Sequence, residues 1–223
     1  HQNNAKGAAT PGTRECGEFE EADAVLEKPS ADHDATRSGA GVLQFHAGGR
    51  TDLQYSAKEI TREAASPTRR AQANLKRCAR YLVQARRYIQ KYPFEGKQKV
   101  LRVYVDSDFA GCVRTRKSTA GGLIMLGKHC IKAWAKTLPV LALSSGEAEL
   151  MAVVKGATEA LGMKPIFRDL SITVELEEMS DATAAIGIVG RQGLGKVRHL
   201  AVADLWVQQA ARRGRWPLAR SPA

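Results

Sequence analysis

The 223-residue chain carries 34 Lys and Arg against 23 Asp and Glu, a formal net charge of +11 at pH 7. That length suits one or two domains with a real core, and that charge suits a polyanionic partner, nucleic acid first, although a basic solvated face gives the same sum. No apolar run approaches the ~18 residues of a membrane span, and Cys16, Cys78, Cys112 and Cys130 are widely spaced with no CxxC pair, which argues against zinc and for reduced, buried thiols.

No signal peptide is visible, and the chain begins with His1 rather than Met, so it reads as a piece of something longer. Residues 1–35 are rich in Gly, Ala, Glu and Asp with few large apolar groups and read as a flexible lead-in. Residues 50–92 look helical. Leu53, Tyr55, Ala57 and Ile60 precede the Ser66–Pro67 step, which resets the chain, and Thr68 is a candidate helix start. Leu75, Cys78, Ala79 and Leu82 then recur at i, i+3, i+4, i+7 spacing. Arg69, Arg70, Lys76, Arg77, Arg80, Arg86 and Arg87 load the rest of that helix with positive charge. Such a face contacts phosphates or is simply solvated, and the pattern leaves both open. Pro93 and Gly96 mark a boundary.

From residue 99 the pattern changes. Residues 100–105 set β-branched and aromatic residues in series and predict a strand. A second strand is expected over 119–126, a turn at Gly127-Lys128 and a third strand over 130–135, together a hairpin meander. Ser145 is a good N-cap, and Ala148, Leu150, Met151, Val154, Ala157 and Leu161 give the following helix an apolar stripe. Then come a strand over 171–177, a short helix over 183–189 ended near Gly190 and Gly193, a fifth strand over 197–202 and a last helix over 204–213. The order βββαβαβα predicts an α/β domain with an antiparallel hairpin half and a parallel half. There is no internal repeat.

Three acids sit where these elements end or begin: Asp106 after the first strand, Glu149 near the start of the long helix, Asp181 after the fourth strand. Side chains at such boundaries converge from separate segments. Hard divalent cations take oxygen ligands, so the three form a candidate cage for Mg²⁺. Two ions about 4 Å apart cleave a phosphodiester without a protein nucleophile.

The motifs around these acids are Asp106-Ser-Asp-Phe-Ala-Gly111, Arg116-Lys-Ser-Thr-Ala-Gly121, Ala142-Leu-Ser-Ser-Gly-Glu-Ala-Glu149, Asp181 before Ala184-Ala-Ile, and Arg198-His-Leu. In that order they closely resemble the ribonuclease H domain of copia-type LTR-retrotransposon polyproteins, whose usual forms are S-D-A-D-W-A-G, R-K-S-T-S-G, A-L-S-S-T-E-A-E-Y, D-N-x-S-A-I and K-H-I-D. The stretch from Gly49-Arg-Thr-Asp-Leu-Gln to Leu82 also resembles the family's reverse-transcriptase tail and connection, so the match covers residues 36–213. The polymerase's Tyr-x-Asp-Asp motif is missing, and polymerase activity is not expected of this chain.

The resemblance implies a ribonuclease H-like five-stranded mixed sheet, order 3-2-1-4-5, with flanking helices, preceded by a helical reverse-transcriptase remnant. It divides the chain into a lead-in (1–35), a tail and connection (36–97), a nuclease domain (98–214) and a short tail (215–223). It implies cleavage of the RNA strand of RNA–DNA hybrids with two Mg²⁺ or Mn²⁺ ions held by Asp106, Glu149 and Asp181. The implied partners are the hybrid and the remainder of the polyprotein, with no membrane, and the implied location is a cytoplasmic particle or the nucleus. Asp108 and Glu147 belong to the family pattern but fall outside the matched catalytic positions. Ser144 and Ser145 are candidates to donate to the hybrid's minor groove, with helix capping as the plainer role. One departure stands out: where K-H-I-D has its last acid, this chain has Ala201. Asp204 is a candidate substitute, or only an acid favoured by a helix dipole. His199 is a candidate for the scissile phosphate or a structural histidine. Loss of the fourth acid also fits a catalytically dead, basic nucleic-acid-binding module of a decayed element.

Overall fold

The computed structural model describes residues 7–13, 23–28, 30–112, 114–193, 205–214 and 216–221. They fall into two compact units, divided between Gln90 and Lys91.

The first unit is helical: α1 (Ala31–Ala47), a 3-10 turn (Thr51–Leu53), α2 (Gln54–Arg62) and α3 (Arg69–Gln84). The residue pattern alone began its helices at 50, whereas the resemblance made 36–97 helical; the lead-in expected over 1–35 overlaps the first turn of α1. Yet Ser30 Oγ accepts from the His33 N–H at 3.1 Å, and Asp32 and Asp34 sit in the first turn, where the helix dipole favours them. Its buried face is His33, Thr36, Ala40, Leu43 and Ala47, in which Leu43 is the one large apolar side chain, so the periodic signal is weak. Leu53, Ala57 and Ile60 bury against that face together with Cys78 of α3. Thr68 caps α3 by accepting from the Ala71 N–H at 3.1 Å. Helix was expected through 92 but stops at Gln84. The Arg50 guanidinium takes the Ala85 carbonyl at 2.9 Å and lies 5.5 Å from the Tyr88 ring. A partner remote in sequence thus satisfies the helix end, and Tyr92 before Pro93 is biased away from helix.

The second unit is built on a mixed sheet of β1 (Val100–Asp108), β2 (Thr119–Leu126), β3 (His129–Thr137), β4 (Glu175–Ser180) and β5 (Leu218–Arg220). The order is β3-β2-β1-β4-β5, as the resemblance implied. β1, β2 and β3 pair antiparallel, whereas β1–β4 and β4–β5 are parallel. Alternation along β1 turns Leu101, Val103 and Val105 inward. They pack in one core with residues of α4 (Ser145–Asp169), α5 (Thr183–Gly190) and α6 (Trp206–Arg212), among them Leu150, Val153, Val189 and Val207.

Several boundaries differ from expectation. β1 runs on to Asp108 because its ladder with β2 continues to the Asp108–Thr119 pair. α4 continues past Leu161 to Asp169, and β4 begins at Glu175 rather than 171. The β-branched run at 172–174 is used instead to leave the helix: the Ile172 N–H donates to the Phe167 carbonyl at 2.8 Å and Ser171 has φ 59°. The edge strand is the largest correction. It lies at Leu218–Arg220, inside the segment read as a tail, and Trp216 just before it is fully buried. The expected strand at 197–202 lies outside the described residues.

Gly156 of α4 faces β1 and β4. A Cβ there would overlap Glu178 Oε1 and Val105 Cγ1. Gly156→Ala should therefore destabilise by about 1–3 kcal/mol through overpacking, outweighing the ~1 kcal/mol that Ala brings to a helix. The check is a urea midpoint lowered at constant m.

Candidate active site

Parallel neighbours bring their C-terminal ends together. Asp106 lies near the end of β1, opposite Gly121, and Asp181 directly follows β4. α4 starts at the same end of the sheet. Its N-cap is Ser144, not Ser145: Ser144 Oγ accepts from the Glu147 N–H at 3.2 Å, and Glu147 Oε2 accepts from the Leu143 N–H at 2.7 Å. This reciprocal cap fixes the first turn and accounts for Glu147, which is buried in a structural role. Both serines are exposed.

Glu149, within the next turn, meets the two aspartates. One carboxylate oxygen from each of Asp106, Glu149 and Asp181 lies within 4.8 Å of the others. The aspartates are exposed and Glu149 is partly buried. Burial pushes the Glu149 carboxyl up to about 6, the charges of Asp106 and Asp181 add to this, and Ser107 opposes it. Glu149 Oε2 is buried with no hydrogen-bond partner among the described residues. Three crowded carboxylates, one with an orphaned oxygen, fit a divalent cation's preference for several hard oxygen ligands.

Asp108 stands apart from this cluster. Its Oδ1 accepts from the Thr119 N–H, and its carboxylate packs so closely on Gly111 that a Cβ there would overlap it. It ties down the loop between β1 and β2. An open groove of about 890 Å³ runs over the site, lined by Tyr104, Asp106, Gly121, Leu123, Met179, Asp181 and Arg220, among others. Nothing lies within 4 Å of the space a Gly121 Cβ would fill. Arg220 was missed by sequence reasoning, since a three-residue strand leaves no periodic signal. His199, Ala201 and Asp204 lie outside the described residues.

No protein-family model matches the chain. Among curated proteins it is 33% identical over 123 residues to the uncharacterized mitochondrial protein AtMg00810 of Arabidopsis thaliana, covering 55% of this chain and 51% of that protein. It is 34% identical over 112 residues to the secreted RxLR effector protein 161 of Plasmopara viticola, covering 50% of this chain and 78% of that protein. It is 29% identical over 136 residues to the retrovirus-related Pol polyprotein from transposon RE1 of Arabidopsis thaliana, covering 61% of this chain and 9% of the polyprotein. The chain belongs to the copia-type retrotransposon Pol family. The five-stranded unit has the strand order that the resemblance implied for a ribonuclease H-like fold. Among solved structures, LC11-RNase H1 isolated from compost aligns with a TM-score of 0.38 at 14% identity, covering 56% of this chain and 86% of that one. The chain spans about half the length of AtMg00810 and a small part of RE1. No helix among its described residues is long and apolar enough to cross a membrane.

Proposed function

We propose that this chain is a metal-dependent endonuclease that cleaves the RNA strand of RNA–DNA hybrids, as part of a retrotransposon polyprotein. The observation that supports it is the convergence of Asp106, Glu149 and Asp181, beside which one buried Glu149 oxygen has no hydrogen-bond partner among the described residues. These three would hold two Mg²⁺ or Mn²⁺ ions. When bound, such ions supply Lewis-acid stabilisation to the attacking and leaving oxygens of an in-line displacement. The protein's part is positioning. Asp106 and Asp181 present exposed carboxylates on the groove, while α4 holds Glu149 from behind. Arg220 on the groove wall offers a guanidinium to a backbone phosphate. Ser144 Oγ already accepts from the helix, so its free capacity is the O–H donor. With Ser145 it suits the 2′-hydroxyls of a wide, shallow minor groove. The first unit is the reverse-transcriptase tail and connection, whose partner is the remainder of the polymerase.

Ala201 lowers this activity. A site with one carboxylate fewer offsets less of the repulsion between two dications. Cleavage of a labelled hybrid should be weak with Mg²⁺ and stronger with Mn²⁺, which tolerates less regular coordination. Ala201→Asp should raise the rate at least about tenfold, worth ~1.4 kcal/mol of barrier. If Asp204 fills the gap, the revertant gains little and Asp204→Ala abolishes cleavage. Full Mg²⁺ activity in both the parent and Asp204→Ala overturns this account of Ala201. Ala201 also favours a second reading, a basic module that binds hybrid without cutting it. Hybrid binding with no cleavage in any metal, even after Ala201→Asp, selects that reading.

A further inference from the structure

The segment from Lys91 to Lys99 forms neither helix nor strand before β1, yet it is pinned. Tyr92 Oη donates to the Cys130 carbonyl at 3.3 Å, and His129 Nε2 pairs with the Pro93 carbonyl at 2.7 Å. Glu95 Oε2 accepts from the Lys128 N–H at 2.9 Å. All three anchors belong to the β2–β3 turn and the start of β3, inside the second unit. The Tyr92 and His129 rings are 5.5 Å apart at 47°. Phe94 is 101% exposed and Tyr92 58%. A single exposed apolar side chain is ordinary, but two aromatic faces held outward on an anchored segment form a platform.

The charge around them has one sign. Lys91, Lys97 and Lys99 are exposed, and the Lys128 side chain is 79% exposed. Glu95 is the one acid in 91–99; its side chain is 15% exposed and already engaged by Lys128, both at the N–H and at the ammonium, 3.6 Å away. We propose that this patch binds single-stranded nucleic acid, with Phe94 and Tyr92 stacking on unpaired bases and the four lysines meeting backbone phosphates. Stacking rings set among cations are what sequence-tolerant single-strand sites use. Protein interface cores, by contrast, are depleted in lysine. A duplex hides its base faces, so it offers the rings nothing to stack on. The patch shares no residue with the acid cluster, and it rests on the nuclease reading only for the identity of the polyanion.

The test is binding of a fluorescent oligo-dT or oligo-U of about twelve nucleotides, followed by anisotropy in EDTA so that no cleavage intervenes. One stacked base is worth about tenfold or more in affinity. Phe94→Ala should weaken single-strand binding by about that factor, while binding of a blunt RNA–DNA hybrid changes less than about twofold. The exposure of Phe94 means the fold should survive, which an unchanged melt confirms. Replacing Lys91, Lys97 and Lys99 by Gln should reduce the slope of log K against log salt by about 2, at roughly 0.7 per phosphate. Unchanged single-strand affinity in Phe94→Ala, or no single-strand binding by the parent at low salt, overturns the proposal and leaves the patch to a protein partner. Loss of hybrid cleavage with this binding intact counts against the nuclease reading alone.

Discussion

Asp106→Asn, Glu149→Gln and Asp181→Asn should each lower hybrid cleavage by roughly a thousandfold or more, about 4 kcal/mol of barrier. The size follows from the geometry. With ligand oxygens within 4.8 Å of one another, the three carboxylates have no redundant neighbour in the cluster among the described residues. Asp108 and Glu147, the nearby acids of the same motifs, are spent on the Thr119 and Leu143 N–H groups. Each isosteric amide keeps the shape and removes one charge, so a folding defect is not the expected cause. A second readout separates metal binding from chemistry. An ion that binds only the folded state stabilises it by mass action, so Mg²⁺ or Mn²⁺ should raise the parent's melting temperature and do so much less in the three variants. Asp108→Asn is the control: it should alter stability near the β1–β2 loop and leave the metal-dependent shift in place. If a triad variant keeps both the shift and full cleavage, the active-site assignment fails.

What the sequence made legible divides along a physical line. Elements with strong periodicity were readable: the alternation in β1, the Gly127 turn of the hairpin and the apolar stripe of α4. The convergence of the three acids was readable because Asp106 and Glu149 border such elements and Asp181 lies in a specific motif. Features decided by partners remote in sequence were not. Arg50 ends α3 from 35 residues away. β5 is three residues long and is held by pairing with β4 and by the buried Trp216, so Arg220 could not be placed in the groove. α1 buries His33, Thr36 and two alanines beside Leu43, so residue periodicity alone does not mark it. The choice of Ser144 over Ser145 as cap turns on one residue of register, at the edge of what such signals resolve.

Glu178 is the clearest case of a residue whose chemistry its sequence context conceals, and it carries the other large expected effect. Glu175-Leu-Glu-Glu-Met-Ser180 looks like a solvated strand. Alternation instead turns Leu176, Glu178 and Ser180 into the core, and Glu178 is 0% exposed. The Trp216 indole N–H donates to Oε2 at 2.5 Å, while Oε1 has no partner among the described residues. The facing groups, Gly156 of α4 and Val103 and Val105 of β1, bear no charge. Burial pushes the carboxyl up to about 9 against the opposing Trp216 hydrogen bond. The folded value lies above the ordinary 4.5, so the folded protein keeps a proton that the unfolded chain releases. Stability from that proton is complete below the ordinary value and is lost as pH rises toward 9. By pH 7 the loss is of order 3 kcal/mol, a large fraction of a typical total of about 5–15 kcal/mol. The urea midpoint should therefore fall steadily between pH 5 and pH 9. Glu178→Gln, whose amide oxygen still accepts from Trp216, should flatten that fall and melt roughly 5–10 °C above the parent at pH 8. Parallel curves for the two proteins would assign the titration to another group. β4 leads into Asp181 and β5 carries Arg220, and both residues line the groove, so a change in the stability of these paired strands bears on it. The Gln variant should accordingly lose less hybrid binding than the parent between pH 7 and pH 9.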